Sequence, residues 1–419
     1  MTPQIKQRIE QIRRGEVPEG YKKTKVGIVP DEWNEEYLGK YLQEYKELSN
    51  DIENYPVYSS SRQGLMPQSQ YYDNREAVET NLGYKIVPNG YVTYRHMSDD
   101  DIFHFNVNKT GGDVLVSSEY PVFTSTKKGD LGYLIPMLNG TARFRYFCRT
   151  QKMGGTRTRL YYKNLCTYKT AFAPLVEQQK IAEILFAQDK LIALKEKLIE
   201  EKERQKKALM QQLLTGKKRL PGFSGKWKKQ KMSDILCERK EENKDQSLRI
   251  CSVAVNSGVV DQREHLGKSM AASDTSNYNV VHYGDIVYTK SPTGAFPYGI
   301  VKQSQLTENV AVSPLYGVYE PTSYEIGYFL NEYFMYPNNA NGYLLPIINK
   351  GAKNTINISN ATFITPSLYL PTNFEEIKKL VQIFKVANKE IEILRKDLDQ
   401  EKQKKKALMQ LLLTGIVRV

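Results

Sequence analysis

Residues 177–216 read EQQKIAEILFAQDKLIALKEKLIEEKERQKKALMQQLLTG, and this stretch decides the architecture. It contains no Pro, and its only Gly is the last residue, Gly216. Ile184, Ala187, Leu191, Leu194 and Leu198 alternate three and four residues apart, which lines them up as a seam along one side of a helix. Ile181, Leu185, Ile192 and Ile199 widen that seam into a broad apolar stripe. Gly216 stands where a C-terminal cap requires a left-handed residue. About 39 residues rising 1.5 Å each make a rod of roughly 58 Å, which suits a spacer better than a helix within one globule.

The chain ends on the same pattern. Lys206-Lys-Ala-Leu-Met-Gln-Gln-Leu-Leu-Thr-Gly216 returns as Lys405-Lys-Ala-Leu-Met-Gln-Leu-Leu-Leu-Thr-Gly415. In that register Leu380, Ile383, Phe384, Ile391 and Leu398 repeat the apolar positions of the first stretch. Ile184, Leu191, Leu194, Leu198, Leu209 and Leu213 on one helix, with Leu380, Phe384, Ile391, Leu394, Leu398 and Leu408 on the other, are the expected helix-pair or partner contacts. Each helix packing only on its own domain is the simpler alternative. The polar middles, Lys195 to Lys207 and Arg395 to Lys406, fit one globular core poorly and favour a helix pair.

The repetition extends to nearly the whole chain. The two tryptophans, Trp33 in Pro30-Asp-Glu-Trp33 and Trp227 in Gly225-Lys-Trp227, open the copies. Leu38 and Leu42 correspond to Met232 and Leu236. Tyr84 to Tyr94 and Tyr278 to Tyr288 each read as two strands joined by a Gly turn. Ser117, Tyr120 and Val122 match Ser313, Tyr316 and Val318, while Gly155 and Asn164 match Gly351 and Asn360. The expected organisation is an N-terminal basic segment (1–25), a first α/β domain (26–173), a long helix (174–216), a linker (217–226), a second α/β domain (227–370) and a second long helix (371–419). The fold class is α+β. Ile5, Ile9 and Ile12 make a short amphipathic turn or two in the basic segment, and Ile12-Arg-Arg-Gly15 faintly echoes Leu213-Leu-Thr-Gly216.

A net charge of +13 and a pI near 9.2 favour a polyanionic partner, most simply nucleic acid. No run of apolar residues is long enough for a membrane span, and the first residues do not resemble a signal peptide. The four cysteines lack metal or disulfide spacing and read as reduced thiols of a cytoplasmic protein. His96, His104, His265 and His282 share no metal spacing, and His104 between Phe103 and Phe105 reads as packed. No phosphate-binding loop, methyl-donor loop or base-holding tetrapeptide of an amino-methyltransferase occurs.

The informative chemistry is basic and aromatic. Between Leu131 and Val176 no acidic residue occurs, while Arg143, Arg145, Arg149, Lys152, Arg157, Arg159, Lys163 and Lys169 do. Alternation in Ala142-Arg-Phe-Arg-Tyr-Phe147 predicts a strand with its arginines on one face. Such guanidinium forks can bind phosphates or read guanine edges in a major groove. Gly154-Gly-Thr-Arg-Thr-Arg159 reads as a loop that carries cations to the backbone. The second copy has only Lys350 and Lys353 between Tyr328 and Phe374, with asparagines instead, Asn338, Asn339, Asn341 and Asn354 among them. Two copies of one scaffold with different polar linings should recognise different things.

These residues together resemble the specificity subunit of type I restriction–modification systems. The resemblance is carried by Pro174-Leu-Val-Glu-Gln-Gln-Lys-Ile-Ala-Glu-Ile-Leu185, the two K-K-A-L-M-Q-x-L-L-T-G ends and the Trp-opened domain starts. Leu220-Pro-Gly-Phe-Ser-Gly-Lys-Trp227 and Tyr55-Pro-Val-Tyr-Ser-Ser-Ser61 add to it. The second helix departs at its start, where Pro371-Thr-Asn-Phe-Glu-Glu-Ile377 stands. The family implies tandem target-recognition domains that each read half of a split, asymmetric DNA site. It also implies long helices paired as an antiparallel coiled coil between them. Two modification subunits that methylate adenine dock on such a chain, and restriction subunits join for ATP-dependent cleavage. The chain itself is then non-catalytic and binds no cofactor, with S-adenosylmethionine, ATP and Mg on its partners. A stand-alone DNA-binding protein or regulator is the alternative. Candidate DNA contacts in the first copy are Val57-Tyr58, Ser59, Ser60, Arg62, Arg95, Lys127, Lys128, Arg143, Arg145, Arg149, Lys152, Arg157 and Arg159. In the second copy they are Lys290, Thr293, Lys302, Lys350, Lys353 and Asn354.

Overall fold

A computed structural model describes residues 3–71, 83–152, 156–267, 271–350 and 356–419. The chain forms two compact units, Met1–Lys197 with Lys396–Val419, and Leu198–Arg395. The two long helices, Leu175–Leu213 and Phe374–Leu412, have 39 residues each and contribute one half to each unit. They begin where a local acceptor holds the first orphan donors. The Pro174 carbonyl takes the Glu177 and Gln178 amides at 2.9 Å, and the Asn373 side chain takes the Glu375 amide at 2.9 Å. They end on Gly216 (φ 68°) and Gly415 (φ 73°), a conformation that a Cβ would strain.

The leucine seam read from the first helix is not its buried line. Leu191, Leu194 and Leu198 are 36%, 55% and 44% exposed, whereas Ile181, Leu185, Gln188 and Ile199 are buried. Ile184 is half-buried against the core of the first unit. The physical reason lies in the polar residues that recur every seventh position. In the first unit Gln188 donates to Glu401 at 2.6 Å, and Lys195 pairs with Asp397. Glu196 meets Lys402 at 2.7 Å, and Asp189 pairs with Lys405. In the second unit Lys202 meets Glu390 at 2.6 Å and Glu203 meets Arg395 at 2.5 Å. In the first unit Gln188 and Asp189 meet Glu401 and Lys405 whereas Lys195 and Glu196 meet Asp397 and Lys402, so the two segments there run antiparallel. On the second helix Leu380, Phe384 and Ile391 are buried, and Leu394, Leu398 and Leu408 half-buried.

Within the first unit, an antiparallel four-stranded sheet runs in the order Asn106–Val107, Val92–Thr93, Val122–Ser125, Leu42–Tyr45. A second sheet runs Val114–Ser117, Tyr84–Val87, Leu48–Ser49. The second unit has a matching sheet, Leu236–Glu238, Gly317–Pro321, Ile286–Tyr288, Val301–Gln303. Its other sheet runs Gly258–Asp261, Ile250–Ala254, Val310–Val312, Asn279–Val281 and contains one parallel pairing. The strands expected on either side of Gly90 and Gly284 exist, but each pair parts at the glycine and enters two different sheets. Leu38 and Leu42, and Met232 and Leu236, are all buried. Ser117 and Ser313 accept from the amides of Tyr120 and Tyr316 in the same 2.9 Å turn. Gly155 and Gly351 lie outside the described residues.

Both units are closed by the same group of residues, which the repeat in sequence does not reveal. In the first, the Trp33 indole donates to the buried Glu177 carboxylate at 3.0 Å and lies beside Gly415, and Arg418 binds Glu177 at 2.6 Å. In the second, Trp227 lies against Gly216, and Arg219 makes two 2.7 Å bonds to the buried Glu376. Each tryptophan thus packs on the glycine that ends the other copy's helix, and the arginine three residues beyond that glycine grips the carboxylate opening the helix of the tryptophan's copy. Glu376 fills this place despite the altered start of the second helix. The N-terminal segment is a longer helix than expected, Pro3–Arg13, and belongs to the first unit. Its Arg8 donates to the Tyr21 hydroxyl at 3.2 Å, and that hydroxyl donates to the Gly415 carbonyl at 2.9 Å.

Candidate nucleic-acid interface

In the first unit four of the candidate cations, Arg62, Arg95, Arg145 and Arg157, lie around one turn, Asp99 to Phe103. The hairpin Tyr58–Ser61 with Gly64–Pro67 presents Arg62, which binds Asp100 at 2.5 Å. The short strand Thr158–Arg159 pairs with Met97–Ser98, and Arg157 at its edge binds Asp99 through Nε at 2.8 Å. The Thr158 hydroxyl donates to Asp101, whose φ of 63° is left-handed. Burial works to raise the Asp100 carboxyl, but hydrogen bonds from Arg62 and Ser98 outweigh it and hold it below the usual carboxylate range. A cavity of about 410 Å³ opens between the hairpin and this turn, lined by Arg62, Gln63, Gln70, Arg95, Asp99 and His104 among others. Burial pushes the His104 imidazole below its ordinary value. Sequence reading missed Asp99, Asp100 and Asp101, although three successive carboxylates in so basic a half were visible.

The strand expected at 142–147 is a helix, Ala142–Thr150. The alternation is real for six residues. Carried on to Cys148, however, Phe144, Phe147 and Cys148 fall at i, i+3 and i+4, and Phe144 and Cys148 bury that face. Arg143, Arg145 and Arg149 are exposed around the remainder. Arg143 is spent on the Val26 carbonyl. Arg145 lines a narrow cleft with Asp101, Ile102 and Phe103, which ties this helix to the same turn. Lys152 and Arg159 are exposed. Lys127 and Lys128 are exposed just before helix Leu131–Gly140, and the Lys128 carbonyl accepts from Gln178 at 3.3 Å. Ser59 and Ser60 are only 4% exposed, and Ser60 accepts from Asn106 at 2.8 Å, so these serines shape the hairpin instead of meeting solvent. Val57 bridges to Leu115, and Tyr58 is half-buried.

The second unit assembles differently. Thr293 is exposed in a turn closed by Phe296. Lys290 is half-buried, and desolvation pulls its ammonium down against the opposing charge of Glu238. Lys302 is no surface cation. It is 4% exposed against the Met335 sulfur, and burial lowers it to about 8, with Glu332 opposing. The sequence pattern concealed this because Val301-Lys-Gln303 alternates, yet all three residues are buried in a strand covered on both sides. Lys350 belongs to the strand Asn349–Lys350, while Lys353 and Asn354 lie outside the described residues. Helix Pro337–Leu344 follows helix Tyr324–Phe334, as the arginine helix follows Leu131–Gly140 in the first unit. A polar cavity of about 510 Å³ is lined there by Lys229, Tyr333, Asn338, Asn339, Tyr343 and Ser367 among others. Asn341 donates to the Ala295 carbonyl at 3.3 Å.

Among the described residues no helix is long and apolar enough to cross a membrane, and no cluster of His, Cys, Asp or Glu has metal-binding geometry. Cys148, Cys166, Cys237 and Cys251 are free thiols. In its fold the chain is similar to the type I restriction–modification S subunit from M. genitalium, at 12% identity and TM-score 0.53, covering 91% of this chain and 96% of that one. It is similar also to a chain from a structure described as showing complex assembly and conformational transition of the type I R-M system. That match has 12% identity and TM-score 0.52, and covers 93% and 99%. Residues 37–204 match the family model described as the type I restriction modification DNA specificity domain. That span runs from the end of the strand Asn34–Tyr37 through the first sheets and the arginine helix into the long helix, and the same frame recurs in the second unit. Over residues 37–204 the chain thus matches the type I restriction modification DNA specificity domain, and in its fold it is similar to a type I restriction–modification S subunit.

Proposed function

We propose that this chain is the DNA sequence-recognition subunit of a type I restriction–modification complex. Each unit reads one half of a bipartite, asymmetric site, and the long helices pair as an antiparallel coiled coil that sets the spacing of the halves. The observation that carries this reading is the contrast of linings on one frame. Arginines gather at the Asp99–Phe103 turn of the first unit, and asparagines and tyrosines line the corresponding helix of the second. Forked guanidiniums suit guanine and paired amides suit adenine, so unlike linings imply unlike half-sites. Adenine methylation and ATP-dependent cleavage belong to two modification subunits and to restriction subunits. S-adenosylmethionine, ATP and Mg are bound by those partners, and the complex acts in the cytoplasm.

The exposed leucines of the first long helix favour this reading over a stand-alone DNA-binding protein. Ala187, Leu191 and Leu194 leave an apolar line facing solvent in the first unit, suited to a partner helix. Methylome mapping after co-expression with the modification subunit tests the proposal. A split site with unlike halves is expected. A palindromic or continuous site, or failure to co-purify with that subunit, would overturn it.

A further inference from the structure

The Asp99–Asp101 turn places three carboxylates in the middle of the face that the proposed function turns toward a polyanion, and between two arginines. Its ion pairs are largely exposed, with side chains 42% to 67% accessible, so they add little to stability. Their geometry is nonetheless well held. Ser98 donates to Asp100 at 2.9 Å and takes the Ile102 amide at 3.1 Å, the Asp101 backbone is left-handed, and Thr158 donates to Asp101. Arg62 commits Nη2 to Asp100, and Arg157 commits Nε to Asp99. Both terminal nitrogens of Arg157 therefore remain uncommitted among the described residues, while its Nε is held by the Asp99 carboxylate. Arg95, on the wall of the same cavity, has no carboxylate partner among the described residues.

We infer that Asp99 and Asp100 are positioning residues for sequence discrimination. They hold Arg157 and Arg62 as aimed forks for guanine edges and repel the phosphates of DNA that offers no guanine there. This rests on the reading of the first unit as a DNA-recognition domain. An arginine that is free to swing serves any nearby phosphate, whereas one held by a carboxylate gives up general affinity and keeps the bidentate contact. The carboxylates also cancel charge that would otherwise strengthen binding to every sequence.

The test is selection of bound DNA from a random pool by the full chain with its modification partner, followed by binding to the selected and to unrelated duplexes across a salt series. The parent should enrich guanine in one half-site. The D99N/D100N double variant keeps side-chain size and should bind unrelated DNA more tightly, with a salt slope steeper by about one. Its ratio of selected to unrelated binding should fall about tenfold. Arg62→Lys and Arg157→Lys should keep the salt slope and lose the guanine preference. A double variant that selects the parent's site with the parent's ratio would overturn the inference while leaving DNA recognition standing. So would one that loses affinity evenly for all DNA. A parent that enriches no sequence in either half-site would bring down the underlying reading, and the inference with it.

Discussion

The first unit and the second share a frame and differ in what the frame presents. Trp33, Glu177, Arg418 and Gly415 in one correspond to Trp227, Glu376, Arg219 and Gly216 in the other, with the same pairing of helix end to domain start. The arginine-bearing helix and carboxylate turn of the first unit have no ionic counterpart at the asparagine-lined helix of the second among the described residues. Interior contacts therefore tolerate little change between copies, while the exposed lining is free to diverge. The copies also differ inside the frame. Trp33 is 1% exposed and its indole is hydrogen-bonded, whereas Trp227 is half-buried and its indole nitrogen has no partner among the described residues.

That last difference sets the largest expected effect. Trp33→Ala should destabilise the first unit by about 3–5 kcal/mol, the range for emptying a buried tryptophan site. Trp227→Ala should cost the second unit roughly half as much, because less apolar surface is buried and no indole bond is lost. Denaturant unfolding followed by hydrogen exchange within each unit reads both values. Equal costs would mean that the closing groups are energetically alike despite their geometry.

Lys302 makes the second unit pH-dependent in a way the first lacks at its arginines. Its folded value is lowered to about 8 from 10.5, so between those pH values the unfolded chain holds more proton than the folded one. The penalty of charging the buried amine is complete below about pH 8 and is relieved as pH rises toward 10.5. Lys302→Met should accordingly stabilise the second unit by about 3 kcal/mol at pH 7, an order-of-magnitude figure. The advantage over the parent should shrink steadily toward pH 10. Thermal unfolding of both proteins over pH 7–10 checks this, and a pH-independent gap would assign the effect to packing alone.

Smaller effects separate the arginines of the first unit. Arg145→Ala should cost about 1–3 kcal/mol of discrimination at one half-site if it meets a base. It should flatten the salt slope by about one, evenly across sequences, if it meets a phosphate. Arg143→Ala should do less, since that side chain already serves the Val26 carbonyl. Asn339→Ala should alter only the other half-site. Binding of half-site variants in a salt series distinguishes these outcomes, and an effect of Arg145 on both halves would break the division of labour. Smallest in stability is Leu194→Asp, expected within about 0.5 kcal/mol of the parent because the side chain is exposed. It should nonetheless weaken co-purification with the modification subunit. Ile181→Asp, on the buried line of the same helix, should unfold the first unit.

Sequence alone determined what depends on neighbours along the chain. Helix length follows from 39 residues without Gly or Pro, helix ends from Gly216 and Gly415, and the internal repeat from matched tryptophans and turns. The resemblance to type I specificity subunits rests on these local marks as well. Tertiary structure decided whatever depends on what lies opposite. Apolar periodicity selected Leu191, Leu194 and Leu198 as the inner seam. The buried line runs instead through Ile181, Leu185, Gln188 and Ile199, where Gln188 is accommodated by Glu401 and the half-buried Lys195 and Lys202 are met by Asp397 and Glu390. Residues 142–147 fit a strand until Cys148 found the core. Lys302 looked solvent-facing until layers closed over both sides of its strand. The carboxylates at 99–101 acquired meaning only when Arg62 and Arg157, 38 and 58 residues away in the chain, were brought against them. A charge or an apolar side chain carries its chemistry in the sequence, but its free energy is set by the partner and dielectric around it, and those are properties of the fold.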